Sequence, residues 1–373
     1  MEGAQVIVLA TPVFLLLIAI EYAVGIVRGR NTYRLNDAMN SIGLGIMSQL
    51  AGVFTKLMTV GIYTVVHQQA ALWQLPADAW WVWGGALILY DFFYYWNHRL
   101  GHESALFWAA HVVHHQSEDY NLSTALRQTS TGWIGSWIFY LPMAVLGVPP
   151  LVFAVVALID LLYQYWVHTQ QIGRLGGFDR VFCSPSNHRV HHAVNDKYID
   201  KNYGGILILW DRLFGTFEEE DDRDPCVYGT RGPLRSWNPV WANLQVYWEL
   251  AKDSWHAERW ADKLLVWIKP PGWRPADVAA RYPKPAFDIA QVTRYDPPMS
   301  RGAQGAAVVL FVLLLGATSW FLWTAHTLSF GALTGSALGI VAGLWAVGLI
   351  STGASAPASA SQASAAAGVS TGR

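Results

Sequence analysis

Asp91-Phe-Phe-Tyr-Tyr-Trp-Asn-His98-Arg-Leu-Gly-His102-Glu103-Ser-Ala-Leu-Phe-Trp-Ala-Ala-His111-Val-Val-His114-His115 decides how this chain is read. An aromatic, apolar run ends there and a file of histidines begins. His98 and His102 are four residues apart, so on a continuing helix both imidazoles face the same way and can share one metal ion. His111, His114 and His115 have the spacing i, i+3, i+4, which makes a one-sided stripe on a helix, and His188-Arg-Val-His191-His192 repeats it. His168 stands between the two triplets. Nine of the 12 histidines fall in these short windows, whereas His67, His256 and His326 stand alone and read as ordinary hydrogen-bonded residues.

Imidazole suits zinc, copper, iron and nickel, so ligand type leaves the metal open. Number is more telling. Structural zinc is satisfied by four ligands, often including cysteine, and catalytic zinc by three plus water. Eight or nine histidines can fill two shells and leave positions open. A metal pair beside a membrane suits oxygen activation, because splitting O2 consumes several electrons and neighbouring irons share that load, and histidine withstands the oxidant better than a thiolate. Cys183 and Cys226 are too few for a disulfide framework or a thiolate site and are expected to be inert free thiols. Glu103 is the nearest carboxylate, expected either to accept a hydrogen bond from a ligand imidazole or to bind metal directly. Asp91, seven residues before His98 on the same helix face, is expected to orient His98 or to cap a polar pocket.

Outward from the histidines the chain reads as membrane protein. It is 373 residues long, 53% hydrophobic and only 14% charged, with 20 Trp, 16 Tyr and 15 Phe. A net charge of −1 gives no field for phosphate backbones, which argues against a nucleic-acid partner. Runs at Val6 to Val27, Ile42 to Val66 and Trp80 to Trp96 are read as spans, the first an uncleaved anchor followed by Arg28, Arg30 and Arg34. Trp133 to Val167 is broken by Gly147-Val-Pro-Pro150 and reads as a helical hairpin, spanning or re-entrant. Ala306 to Trp323 and Leu333 to Ile350 close the membrane part, and the Ala-, Ser- and Gly-rich tail from Ser351 reads as disordered. Eighteen of the 25 Lys and Arg lie between His168 and Arg301, which puts that side, with the histidines, in the cytoplasm. The organisation expected is N-terminal transmembrane helices over 1–97, a histidine-bearing core over 98–304, C-terminal transmembrane helices over 305–350 and a low-complexity tail over 351–373.

The order HxxxH, HxxHH, HxxHH resembles the fatty acid hydroxylase superfamily, also called the sterol desaturase family. Around the motifs, His115-Gln-Ser-Glu-Asp-Tyr-Asn-Leu-Ser-Thr-Ala-Leu-Arg127, Asp200-Lys-Asn-Tyr-Gly-Gly205 and Trp210-Asp-Arg-Leu-Phe-Gly-Thr216 look like the ether-lipid-cleaving members. The similarity covers roughly Asn31 to Pro239. It implies an all-α, polytopic membrane helical bundle with a cytoplasmic histidine-rich cap holding a dinuclear, di-iron site. Its ligands would be His98, His102, His111, His114, His115, His188, His191 and His192, with His168 as a further one and Glu103 as the catalytic glutamate. It also implies O2 as co-substrate, a membrane lipid as substrate, and an electron donor that is a cytochrome, a ferredoxin or tetrahydrobiopterin. Sterols, fatty acyl chains, carotenoids and amino-lipids are the alternative substrates within the family. Outside it stand a two-zinc membrane hydrolase, although no HExxH is present, and a metal transporter, whose ligands would lie nearer the bilayer midplane. Asn121, Ser123, Thr124 and Arg127 are read equally as pocket lining or as capping and turn residues.

Overall fold

A computed structural model describes residues 3–352. Among these residues the regular structure is helical, and the only extended pairings are two isolated bridges, Phe182 with Leu207 and Ala193 with Tyr228. Helix α1 (Gly3–Val27) is largely apolar, with Leu9, Leu16, Ile20 and Ile26 exposed, as suits a helix facing lipid, and with Glu21 buried where it accepts from Leu122 N (2.8 Å). Helix α2 (Leu35–Ala70) packs Met39, Ile46 and Leu50 against Phe311, Leu314 and Phe321 of α13 (Arg301–Thr324) and Ile340, Leu344 and Val347 of α14 (Phe330–Thr352). Three stretches are long and apolar enough to cross a bilayer: Gln5–Val27, Arg301–Thr327 and Phe330–Thr352. A fourth is added if Leu35–Thr55 and Met58–Ala70, inclined at 43°, form one bent span.

The third expected span is a helix, α3 (Trp80–Glu103), but it falls outside that set. Its Trp and Tyr residues lower its hydropathy, and it buries one face, with Val82, Ala86, Asp91 and Tyr95, while Trp80, Trp81 and Ile88 are exposed. The hairpin has unequal arms. Its first arm is a short 3-10 turn (Ser136–Tyr140) leading into α6 (Leu141–Val145), which together are too short to cross a bilayer; its second arm is α7 (Pro150–Trp166). Between them Gly147 has φ +87, and a Cβ there would stand 1.9 Å from the Trp73 carbonyl oxygen, so only glycine fits the reversal. Val82 and Ala86 of α3, Tyr63 of α2, Met143 of α6 and Val152 and Val156 of α7 form the second core. Ser351 and Thr352, expected in the tail, belong to α14, and residues 353–373 lie outside the described residues.

Beyond the bundle the two histidine triplets ride on short helices. Helix α4 (Ala105–His115) turns off the end of α3, and α5 (Leu122–Ala125) follows under a capping box in which Asn121 accepts from Ser123 N. After α7 come α8 (Pro185–His191), with Ser184 as N-cap, and α9 (Leu209–Phe214). Helices α10 (Pro239–His256), α11 (Trp260–Ile268) and α12 (Ala276–Arg281) complete this part, with α10 lying along α4.

Candidate metal centre

Four segments converge on one spot: the end of α3, helix α4, the residues after α7, and α8. They bring all nine histidines together in two groups, within each of which one ligand nitrogen per residue lies within 4.8 Å of the others. The first group is His98, His102, His111, His115 and His191; the second is His114, His168, His188 and His192. His98 and His102 fall in one group, as their spacing requires. The triplets do something the one-sided-stripe reading does not contain. In each, the i and i+4 residues enter one group and the i+3 residue the other: His111 and His115 against His114, and His188 and His192 against His191. Residues three and four positions on diverge by about a hundred degrees around a helix axis, so each of α4 and α8 contributes to both groups at once.

The rings are held by their far nitrogens. Nδ1 of His98 donates to the Tyr203 carbonyl (2.8 Å), His114 to Arg127 (2.9 Å), His168 to Gln164 (2.7 Å) and His191 to Lys201 (3.0 Å). A neutral ring whose Nδ1–H is committed to a carbonyl presents an unprotonated Nε2, the form in which histidine binds metal. Burial keeps the rings neutral: it lowers His111, His115, His168, His188, His191 and His192 well below the ordinary imidazole value, and His114 to about 4.

His114 and His168 bring this to a point. Both have Nδ1 committed to carbonyls, both are neutral, and their bare Nε2 atoms face each other at 3.1 Å. Two lone pairs at that distance repel unless a cation lies beside both. The same separation recurs at His98–His111, His111–His115 and His168–His188 (each 3.1 Å) and at His188–His192 (3.2 Å). Neighbouring ligands at right angles around a metal stand roughly 3.0 Å apart, against roughly 3.4 Å for a tetrahedral site with the same bond length. Nε2 of His102 and of His191, both buried, find no hydrogen-bond partner, as expected of atoms reserved for an ion.

A protein-family model described as fatty acid hydroxylase matches residues 83–216, a span that contains all nine histidines. Human alkylglycerol monooxygenase is 40% identical over 315 residues, covering 82% of this chain and 68% of the relative, and the Danio rerio enzyme of the same name is 40% identical over 317 residues with the same coverage. The chain belongs to the fatty acid hydroxylase family. More distantly, the ornithine lipid hydroxylase OlsE of Rhizobium tropici is 33% identical over 156 residues, 40% of this chain and 45% of that protein. No solved structure matches.

Within the chain, Glu103 stands apart from both histidine groups. Its carboxylate accepts from Arg99 Nε (2.9 Å) at a partly exposed position, on the helix face next to the one that carries His98 and His102. Asp91 acts on His98 through a loop: it accepts from Ile206 N (2.6 Å), Leu207 N (3.0 Å) and Trp210 Nε1 (2.8 Å), fixing the segment whose Tyr203 carbonyl holds His98. Asp211 secures the same segment from the other side through Tyr203 N and Gly204 N, each at 2.7 Å. Of the residues after the second motif, Asn121, Ser123 and Thr124 cap and turn the chain, and Arg127 is fully buried, donating to Val113 O (2.7 Å) and Asn40 Oδ1 (2.8 Å).

Sequence reading passed over Arg189. Its guanidinium forks onto Glu220, both bonds 2.7 Å, and reaches the Thr169 and Ile172 carbonyls, tying α8 to the segment that carries His168. Its place inside the third histidine motif was the available signal. A cavity of about 630 Å³ opens against His98, His111, His114 and His168 and extends between apolar residues such as Phe14, Ile46, Leu315 and Leu322, with Tyr94, Asn97 and Gln164 near its histidine end. That volume is in the range of small-molecule sites.

Proposed function

We propose that this chain is a membrane lipid monooxygenase in which the five-histidine group holds one iron ion and the four-histidine group a second. The facing lone pairs of His114 and His168, held 3.1 Å apart, carry the metal reading. Five imidazoles in one group exceed the four ligands zinc ordinarily takes, and an all-nitrogen set suits iron. Bound there, an iron pair would supply the redox equivalents that split O2. The chain's own residues do the rest: backbone carbonyls aim the imidazoles, and the apolar cavity admits a hydrocarbon chain to the histidine end while excluding water.

The relatives named alkylglycerol monooxygenases favour an ether lipid as substrate. In that reaction O2, a pair of electrons and a pair of protons convert the C–H beside the ether oxygen to C–OH and release water; the hemiacetal then separates into aldehyde and alcohol. Electrons would come from tetrahydrobiopterin, a cytochrome or a ferredoxin arriving from the basic, cytoplasmic side. Glu103, which pairs with Arg99 at a partly exposed position outside both histidine groups, is assigned to meeting the reductant, with no place as a metal ligand.

Metal analysis of anaerobically purified protein, followed by incubation with an alkylglycerol, O2 and reductant, tests this. Two irons per chain and O2-dependent release of a fatty aldehyde are expected. Two zincs with oxygen-independent lipid hydrolysis would overturn the oxygenase. Oxidation of a sterol, fatty acyl, carotenoid or amino-lipid in place of the ether lipid would keep the oxygenase and replace the substrate.

A further inference from the structure

One face of the helical cap carries a stripe that the histidine chemistry does not use. On α10, Trp241, Leu244, Trp248, Lys252 and Trp255 recur at helical spacing and all are exposed, Trp255 at 80%. On α11, Trp260, Leu264 and Ile268 follow one another every fourth residue at 81%, 68% and 66%. The other faces are occupied: Ala242 packs on Leu44 and Val113, and Val266 is buried. The acidic groups of α10 are neutralised away from the stripe, Glu249 by Lys284 (2.8 Å) and Asp253 by Arg274 (2.7 Å). What remains outward is large rings and aliphatic side chains, with Lys252 among them and Lys269 at the end, while Lys263 lies over the Trp260 ring and donates to the Ser254 (3.1 Å) and Trp255 (2.9 Å) carbonyls.

We propose that the α10–α11 face is seated in the headgroup layer of the bilayer, its tryptophans in the acyl boundary and Lys252 and Lys269 against anionic headgroups. Continuity with the spans favours lipid over a protein partner. The Trp237 carbonyl, just before α10, accepts from Asn40 Nδ2 near the start of α2 (2.8 Å), and a Cβ on Gly348, in the last turns of α14, would stand 2.4 Å from the same oxygen. Helix α10 therefore leaves the protein level with the ends of α2 and α14. It then runs along α4, from Gln116 Nε2 on the Ala242 carbonyl (3.1 Å), and α11 returns to meet the start of α4, where Ala105 N donates to the Lys269 carbonyl (2.9 Å). An amphipathic helix pair that begins where a span ends and carries Trp beside Lys has the composition of the interfacial belt. Tyr247, on the same helix, lines the cavity, so this seating brings a cavity wall to the lipid surface.

Nitroxide labels on the full chain test the proposal independently of any metal or activity. In a Cys183→Ser, Cys226→Ser background, labels are placed at Trp255→Cys, at Leu264→Cys and, as an aqueous reference on the other side, at Lys284→Cys. The protein is reconstituted into nanodiscs of phosphatidylcholine and phosphatidylglycerol. Labels at 255 and 264 are expected to collide more with O2 than with a water-soluble nickel chelate, and the label at 284 the reverse. Chelate-favoured collisions at both 255 and 264 would overturn the seating, and so would spin–spin broadening there, which would assign the face to a second copy of the chain. Each exposed position can be labelled separately, so one poorly folding variant leaves the other to decide.

Discussion

His168 has no histidine neighbour in the sequence, yet its Nε2 lies 3.1 Å from both His114 and His188. Glu103 adjoins His102 in the sequence and pairs instead with Arg99, because consecutive residues on a helix point about a hundred degrees apart. Chain adjacency and spatial adjacency thus rank these two residues oppositely, and their substitutions should separate. His168→Ala is expected to lower bound metal from two ions per chain towards one and to abolish turnover. Glu103→Gln should keep the metal and cost stability only about 1 kcal/mol or less, the scale of a partly exposed ion pair, while slowing turnover at limiting reductant. Metal content by mass spectrometry together with thermal midpoints reads both variants. Full metal in His168→Ala would remove that residue from the ligand set, and metal loss in Glu103→Gln would return the glutamate to it.

At the level of elements, the segment after α8 matters as much as the helices that carry the histidines. Asp91 and Asp211 clamp it, and its Tyr203 carbonyl sets the His98 ring. Gly205 makes the close approach possible: a Cβ there would meet Asp160 Oδ1 at 2.8 Å and Asp91 Oδ1 and Tyr94 Cδ1 at 2.9 Å. Gly205→Ala must therefore push the segment off α3. The expected cost is about 1–3 kcal/mol, as for other overpacked sites, with weakened metal binding in the five-histidine group and little change in the four-histidine group. A lowered thermal midpoint with selective loss of one metal would bear this out; an unchanged midpoint would mean the segment yields without strain. The stretch Asp200-Lys-Asn-Tyr-Gly-Gly205 was legible in the sequence only as part of the family resemblance, and nothing in it said which carboxylates the glycine would admit.

For the whole molecule, burying so many imidazoles has a consequence for pH. The folded rings outside the bundle are held below the unfolded value of about 6.5, so as pH falls through that value the unfolded chain takes up protons that the metal-free folded chain does not. Stability therefore declines as pH falls below about 6.5, by up to about 1.4 kcal/mol per pH unit for each ring. Asp119 and Asp211, both raised to about 6, and Glu118 and Asp200, also raised, all chiefly by burial, act in the opposite direction, but they are four carboxyls against seven imidazoles. The thermal midpoint of metal-free protein should be lower at pH 5.5 than at pH 7.5. A flat profile would mean that the metal-free site opens to water.

Sequence by itself determined the helical class, the membrane character and the nine histidines, because apolar run length and i, i+3, i+4 spacing are local properties that a helix converts directly into a face. Tertiary structure decided how those histidines divide between two groups, that α3 buries only one of its faces, that Glu103 pairs with Arg99 outside both groups, and that Arg189 and Asp91 hold the histidine-bearing segments in place. Each of these depends on which segments meet, and burial and hydrogen-bond pairing between residues far apart in the chain arise only once the helices have packed.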